Sequence, residues 1–228
     1  MPTRISAIFI VFVVLVTGVT AYEALLPQRS ETLSFWLLAI LPATGLGLVA
    51  AVWAVRDGLL GEWVTPRWGD ATRGVLGGIA LIACAWGFVR IVMPVGSHRE
   101  IWLVAFYGEV GDPRRLVAHA NGLAVAVIVG AIADEILWRG LVTQLLADRV
   151  GSRTAWIWAA ALYGLAYVPT AWALRISGSL DPVLVFAALG GGLVLGGMAR
   201  VFGRILPCIV AHALFVWGVL MMVPLWGP

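Results

Sequence analysis

An acidic pair followed by an arginine stands directly after an apolar run of the sequence. Asp134 and Glu135 follow the stretch Val125–Ile132, and Arg139 comes four residues after Glu135. On a helix, this spacing with the acid N-terminal to the base favours an ion pair. Asp134 is rotated by about 100° from Glu135 around the helix axis and faces elsewhere. Arg139 can thus hold one of the two carboxylates while the other does acid–base chemistry. The alternative is a structural role, in which a buried ion pair fixes the register of the helix.

Two further candidates lie in apolar stretches nearer the C-terminus. His212 is surrounded by apolar residues, where the alternative is a hydrogen-bonded core histidine. Tyr163 and Tyr167 are four residues apart and share one helix face. In an antiparallel hairpin that turns near Gly151, Tyr167 lies as far from the turn as Asp134, so we expect both at similar depth. The alternative for Tyr167 is a tyrosine at the membrane–water interface.

The sequence carries no pattern for a catalytic metal or a nucleophilic triad. It holds 3 histidines and no His-Glu-x-x-His run, whereas catalytic zinc usually takes three protein ligands. The local signatures of serine and cysteine nucleophiles are also absent. We therefore expect neither a metal nor a cofactor.

The composition predicts that membrane-spanning helices position these residues. Of the 228 residues, 61% are hydrophobic and 12% are charged, with a mean hydropathy of +0.98. An ordinary soluble domain has about 25% charged residues. A disordered chain and a soluble globule are excluded, because neither accommodates so much apolar surface at this length. The net charge of +3 is small and the arginines are scattered, so no nucleic-acid partner is expected. The expected partner is the lipid bilayer.

Seven stretches approach the ~20 apolar residues that a helix needs to cross a bilayer. They are Ile5–Tyr22, Leu33–Val55, Gly74–Met93, Leu116–Leu137, Thr154–Trp172, Val183–Val201 and Ile205–Trp226. The segment Pro94–Arg115 mixes aromatic and charged residues, which predicts an interfacial or re-entrant piece and would raise the count to eight. The expected fold class is all-α, a polytopic transmembrane bundle of about seven to eight spanning helices. Gly192 and Gly196, four residues apart, predict close helix packing.

The distribution of arginines predicts the orientation of the chain. Alternate loops on the side of the N-terminus hold more arginines than the loops on the other side. Cytoplasmic loops carry this excess, so the N-terminus is expected in the cytoplasm. We expect a multi-pass integral protein of the bacterial cytoplasmic membrane.

In their order along the chain, the three motifs resemble those of the CPBP family. This family contains the CAAX prenyl endopeptidases and bacteriocin-processing proteins and is also called the Abi family. Its pattern reads Glu-Glu-x-x-x-Arg, then Phe-x-x-x-His, then His-x-x-x-Asn. The resemblance covers roughly Leu123 to Val219, and Glu135, Arg139 and His212 match it outright.

Four positions differ from the family pattern. Asp134 stands in place of the first Glu, which is the family's water-activating acid. Tyr163 and Tyr167 stand in place of the Phe and the His of the second motif, and Val216 in place of the Asn of the last motif.

The resemblance implies an intramembrane endopeptidase that cleaves a membrane-embedded or lipid-associated peptide or protein without a metal. Asp134, or Glu135 after a local rotation, would activate a water in the manner of a glutamic peptidase. Arg139 would orient the acidic pair, His212 would stabilise the oxyanion, and Tyr167 would donate a second hydrogen bond.

The resemblance also implies two parts within one membrane domain. Residues 1–115 would form N-terminal transmembrane helices and an interfacial linker, and residues 116–228 the CPBP-like core with the acidic pair and the His motif. Two other functions remain open: a catalytically silent CPBP-like scaffold or immunity protein, and a small ion- or proton-coupled transporter.

Overall fold

We describe the fold from a computed structural model, which covers residues 3–111, 116, 120–176, 178–222 and 225. Within these residues the chain is helical and forms no β-strand. The helices are α1 (Thr3–Ala24), α2 (Leu33–Arg56), α3 (Leu60–Val64), α4 (Asp70–Val92), α5 (Glu100–Val110), α6 (Ala120–Val150), α7 (Ala155–Ala166), α8 (Thr170–Ala173), α9 (Val183–Phe202) and α10 (Leu206–Met222). A short 3-10 turn, Pro27–Arg29, lies between α1 and α2.

Five of these helices are long and apolar enough to cross a membrane. They are α1, α2, α4, α6 and α9, and they confirm the predicted all-α, polytopic fold. The interfacial segment expected at 94–115 contains the short helix α5, and its last residues lie outside the described part of the chain.

Three predicted stretches have different bounds in the structure. The helix expected to end at Leu137 continues to Val150, so the acidic pair and Arg139 lie inside α6. The stretch expected to continue to Trp172 is broken after Ala166, because Pro169 lacks an N–H and disfavours helix in the residue before it. Within the described residues, which omit 223–224 and 226–228, the last stretch forms α10, and its length there is less than a full crossing.

Small residues let neighbouring helices approach α6 and one another. A Cβ atom at Gly47 of α2 would lie 2.7 Å from Cα of Ala133 in α6, and only glycine allows this contact. In α9, Gly192 packs against Ala160 and Gly196 against Trp156, both in α7. The packing predicted from the four-residue spacing of these two glycines is confirmed.

The directions of the helices define two ends of the bundle. Arg149, near the end of α6, donates to the hydroxyl of Ser6 near the start of α1 at 3.3 Å. We call this the Arg149 end. The opposite end, which we call the Phe35 end, holds the end of α1 and the start of α2, with Ala24 and Phe35 lining one cavity.

Candidate active site

The acidic pair lies where the regular α-helix of α6 changes to a wider turn. Residues Glu135–Val142 form a π-helical stretch, in which hydrogen bonds run five residues back instead of four. At its end, both the N–H and the hydroxyl of Thr143 donate to the carbonyl of Trp138, the latter at 2.7 Å. The whole stretch is buried. Such stretches are rare and are often found at functional sites.

Glu135 is the most enclosed member of the site, with no part of its side chain exposed. Its Oε1 accepts a hydrogen bond from Nδ1 of His212 at 2.8 Å and lies 3.1 Å from Nη1 of Arg139. The ion pair that the four-residue spacing predicts is present. His212 reaches it from α10, so two basic groups from two helices share one carboxylate oxygen.

Asp134 points to a different set of partners from those of Glu135. The hydroxyl of Tyr163 donates to its Oδ2 at 3.0 Å. The guanidinium of Arg139 lies 5.0 Å from the centre of the Tyr163 ring, which is cation–π contact. Tyr167 stands edge-on to Tyr163, with ring centres 5.3 Å apart. Tyr163 therefore links the two halves of the site.

A cavity of about 150 Å³ reaches Asp134 from the Phe35 end of the bundle. Asp134 and Tyr167 both line it, as expected from their equal distance from the hairpin turn. This volume holds several water molecules. His212, in contrast, is not among the residues that line this cavity.

The site falls inside a region that matches a known protein family. The family model of the type II CAAX prenyl endopeptidases, Rce1-like, matches residues 117–218. This segment is Rce1-like. The match confirms the resemblance to the CPBP family that the motifs carry. Comparisons with curated proteins and with solved structures found no match to this chain.

The Rce1-like segment contains every candidate site residue, and the structure divides them into two groups. Glu135, Arg139 and His212 match the family pattern outright and form one connected group around the carboxylate of Glu135. Asp134 and Tyr167, which depart from it, line the cavity. The chain is thus a multi-pass membrane protein, in which residues 117–218 are similar to the Rce1-like family.

Two polar residues outside the Rce1-like segment also line the cavity, and the sequence interpretation missed them. Thr17 and Thr20 of α1 line the same cavity as Asp134. Thr20 is in part satisfied by its own helix, since its hydroxyl donates to the carbonyl of Val16 at 2.9 Å. Two threonines three residues apart in an otherwise apolar helix were the available signal.

The described residues offer no ready metal centre. Among them, no group of three or more His, Cys, Asp or Glu side chains could hold an ion. Next to Asp134 and Glu135, the position that a cation would take is already occupied by the guanidinium of Arg139.

Proposed function

We propose that the protein is an intramembrane endopeptidase that hydrolyses a membrane-associated peptide with a water activated by Asp134. The observation that carries the proposal is the carboxylate of Asp134, which accepts a hydrogen bond from a tyrosine on one oxygen and lines a mostly apolar cavity beside a membrane-spanning helix. An ionisable group at this depth is costly and usually functional. The family match to residues 117–218 supports the same class of activity.

Asp134 is the general base of the proposed reaction. Its Oδ2 is held by the hydroxyl of Tyr163, and among the described residues its Oδ1 has no hydrogen-bond partner. Oδ1 takes a proton from the cavity water while the water oxygen attacks the peptide carbonyl. The C–N bond of the tetrahedral intermediate then breaks, and the protonated Asp134 returns its proton to the leaving amine.

Tyr167 is the donor for the oxyanion, because it lines the same cavity as Asp134. A neutral phenol at this place donates a hydrogen bond to the negative oxygen that develops on the carbonyl. The oxyanion role that the resemblance gives to His212 thus passes to Tyr167 in this proposal. His212 and Arg139 are positioning residues here, which hold Glu135 and with it the start of the π-helical stretch.

The proposed orientation has the N-terminus in the cytoplasm. This orientation rests on the excess of arginines in the loops on the side of the N-terminus. Because the start of α1 lies at the Arg149 end of the bundle, that end faces the cytoplasm. The cavity of Asp134 then opens toward the opposite face of the membrane.

A cleavage assay in vesicles tests the proposal. The protein is reconstituted with a library of lipid-anchored peptides, and products are identified by mass spectrometry. Asp134→Asn keeps the size and the acceptor for Tyr163 but removes the base, so cleavage should fall about 100-fold or more. Asp148→Asn, on the exposed face of the same helix, is the matched control and should cleave like the wild type. A chelator should leave the rate unchanged.

The same assay distinguishes the silent-scaffold alternative. That alternative is favoured by one observation: Tyr167 and Val216 stand where the family pattern has a His and an Asn. If wild type and Asp134→Asn give the same product signal while both remain folded, the peptidase proposal is wrong and the scaffold is favoured.

A further inference from the structure

A second pocket lies at the Arg149 end of the bundle, on the far side of Arg139 from the cavity of Asp134. Its volume is about 170 Å³. The polar residues that line it are Arg139, Thr143, Gln144, Ser152, Arg200 and Arg204. No carboxylate is among the residues that line it.

Two of these arginines are buried with donor groups that lack an acceptor. The side chain of Arg139 is 4% exposed; its Nη1 lies 3.1 Å from Oε1 of Glu135, and its Nη2 has no hydrogen-bond partner within the described residues. The side chain of Arg204 is 6% exposed, and its Nε has no partner there either. Buried donors nearly always find acceptors, because an unpaired one is destabilising by about 1–3 kcal/mol. These donors are therefore available to the oxygen atoms of a ligand in the pocket that both arginines line.

The charges around the pocket leave an excess of one positive charge. Arg139 pairs with Glu135, and Arg204 donates to Oδ2 of Asp70 at 3.0 Å. Arg200 has no carboxylate partner among the described residues, and its Nη1 donates to the carbonyl of Ser152 at 3.1 Å. Guanidinium groups match the oxygens of a phosphate better than any other side chain does.

We propose that this pocket binds a phosphate group, supplied either as the free anion or by the headgroup of an anionic lipid. The arginines neutralise its charge, and the amide of Gln144 supplies a further donor. Because Arg139 also holds Glu135, a bound phosphate touches the same guanidinium that positions the acidic pair. The proposal does not depend on peptidase activity.

Thermal unfolding in a neutral detergent with inorganic phosphate tests the free anion. Arg200→Gln removes the unpaired charge at an exposed position, so the fold is retained. Its apparent dissociation constant for phosphate should rise about tenfold, as expected for the loss of one charge-assisted hydrogen bond. Arg153→Gln removes an exposed arginine that does not line the pocket and should behave as the wild type.

Native mass spectrometry after reconstitution tests the lipid source. Nanodiscs of phosphatidylglycerol are compared with nanodiscs of phosphatidylcholine. Retention of phosphatidylglycerol by the wild type and Arg153→Gln, but not by Arg200→Gln, identifies the headgroup as the ligand. Phosphate also stabilises proteins in general. An equal response of all three proteins to phosphate, together with equal lipid retention, therefore overturns the proposal.

Discussion

Nδ1 of His212 lies 2.8 Å from Oε1 of Glu135 and joins α10 to the middle of α6. The contact bridges 77 residues of sequence. The same oxygen lies 3.1 Å from Nη1 of Arg139, so one buried carboxylate stabilises two basic groups. The stability of the bundle centre therefore depends on keeping this carboxylate paired.

Arg139→Ala should destabilise the protein strongly. It removes the guanidinium next to a fully buried carboxylate and leaves Glu135 with His212 alone. Breaking a buried pair in this way costs about 3–5 kcal/mol. Thermal unfolding in detergent measures the effect, with Arg153→Ala as the exposed control. An unchanged midpoint for Arg139→Ala would mean that water solvates the pair.

Tyr163→Phe should mainly lower the stability of the protein, whereas Tyr167→Phe should mainly lower the rate of cleavage. Tyr163→Phe removes a hydrogen bond to the carboxylate of Asp134, which contributes about 1.5–3 kcal/mol to stability. Tyr167→Phe removes the proposed oxyanion donor, so cleavage weakens by about 100-fold without being abolished, while the unfolding midpoint changes little. Unfolding and cleavage are measured on both variants. The assignment of the two tyrosines is wrong if their effects are reversed.

Restoring the family pattern should raise cleavage. The combined variant Asp134→Glu, Tyr167→His and Val216→Asn supplies the acid, the base and the amide of the CPBP motifs. The changes must be made together, because residues that act as one catalytic unit are not additive. The vesicle assay measures the rate against His212→Ala as the blank. A folded triple variant no faster than the wild type contradicts this prediction.

Asp181 should make stability depend on pH. It is 1% exposed just before α9, and burial raises its pKa to about 7, against the opposing effect of the Val183 N–H, which donates to Oδ1 at 2.9 Å. The unfolded pKa is about 3.9. The folded state thus binds the proton more tightly, and this stabilisation is complete below about pH 4 and lost as the pH rises through 7.

Asp181→Asn tests that pH dependence. The amide keeps an acceptor for Val183 but does not titrate, so the decline of the unfolding midpoint between pH 4 and pH 8 should become smaller. Midpoints of both proteins are measured in detergent across this range. Equal slopes would show that Asp181 does not cause the dependence.

The sequence could predict the parts of the site that depend on spacing along one helix or one hairpin. The four-residue spacing of Glu135 and Arg139 predicts their ion pair, and the turn at Gly151 predicts the common depth of Asp134 and Tyr167. The apolar stretches predict the helical membrane fold in the same way, since hydropathy and length alone decide that a helix spans.

Contacts between distant helices could not be predicted in this way. The sequence marks His212 as unusual, but only the packing of α10 against α6 places it on Glu135. Thr17 reaches the cavity from α1, more than a hundred residues from Asp134. The residue types of Glu135–Val142 also do not predict a π-helical stretch. This stretch is buried among the surrounding helices, and that packing cannot be read from the sequence.

The cavity of Asp134 and the pocket of Arg139 approach each other from opposite ends of the bundle. The five-residue step between these side chains corresponds to roughly 7.5 Å of helix, against ~30 Å for the hydrocarbon layer. When water fills both spaces, most of the membrane voltage falls across this short distance. Moving one elementary charge through 100 mV is worth about 2.3 kcal/mol. In the proposed reaction, the uptake of a proton by Asp134 is therefore expected to depend on the membrane voltage.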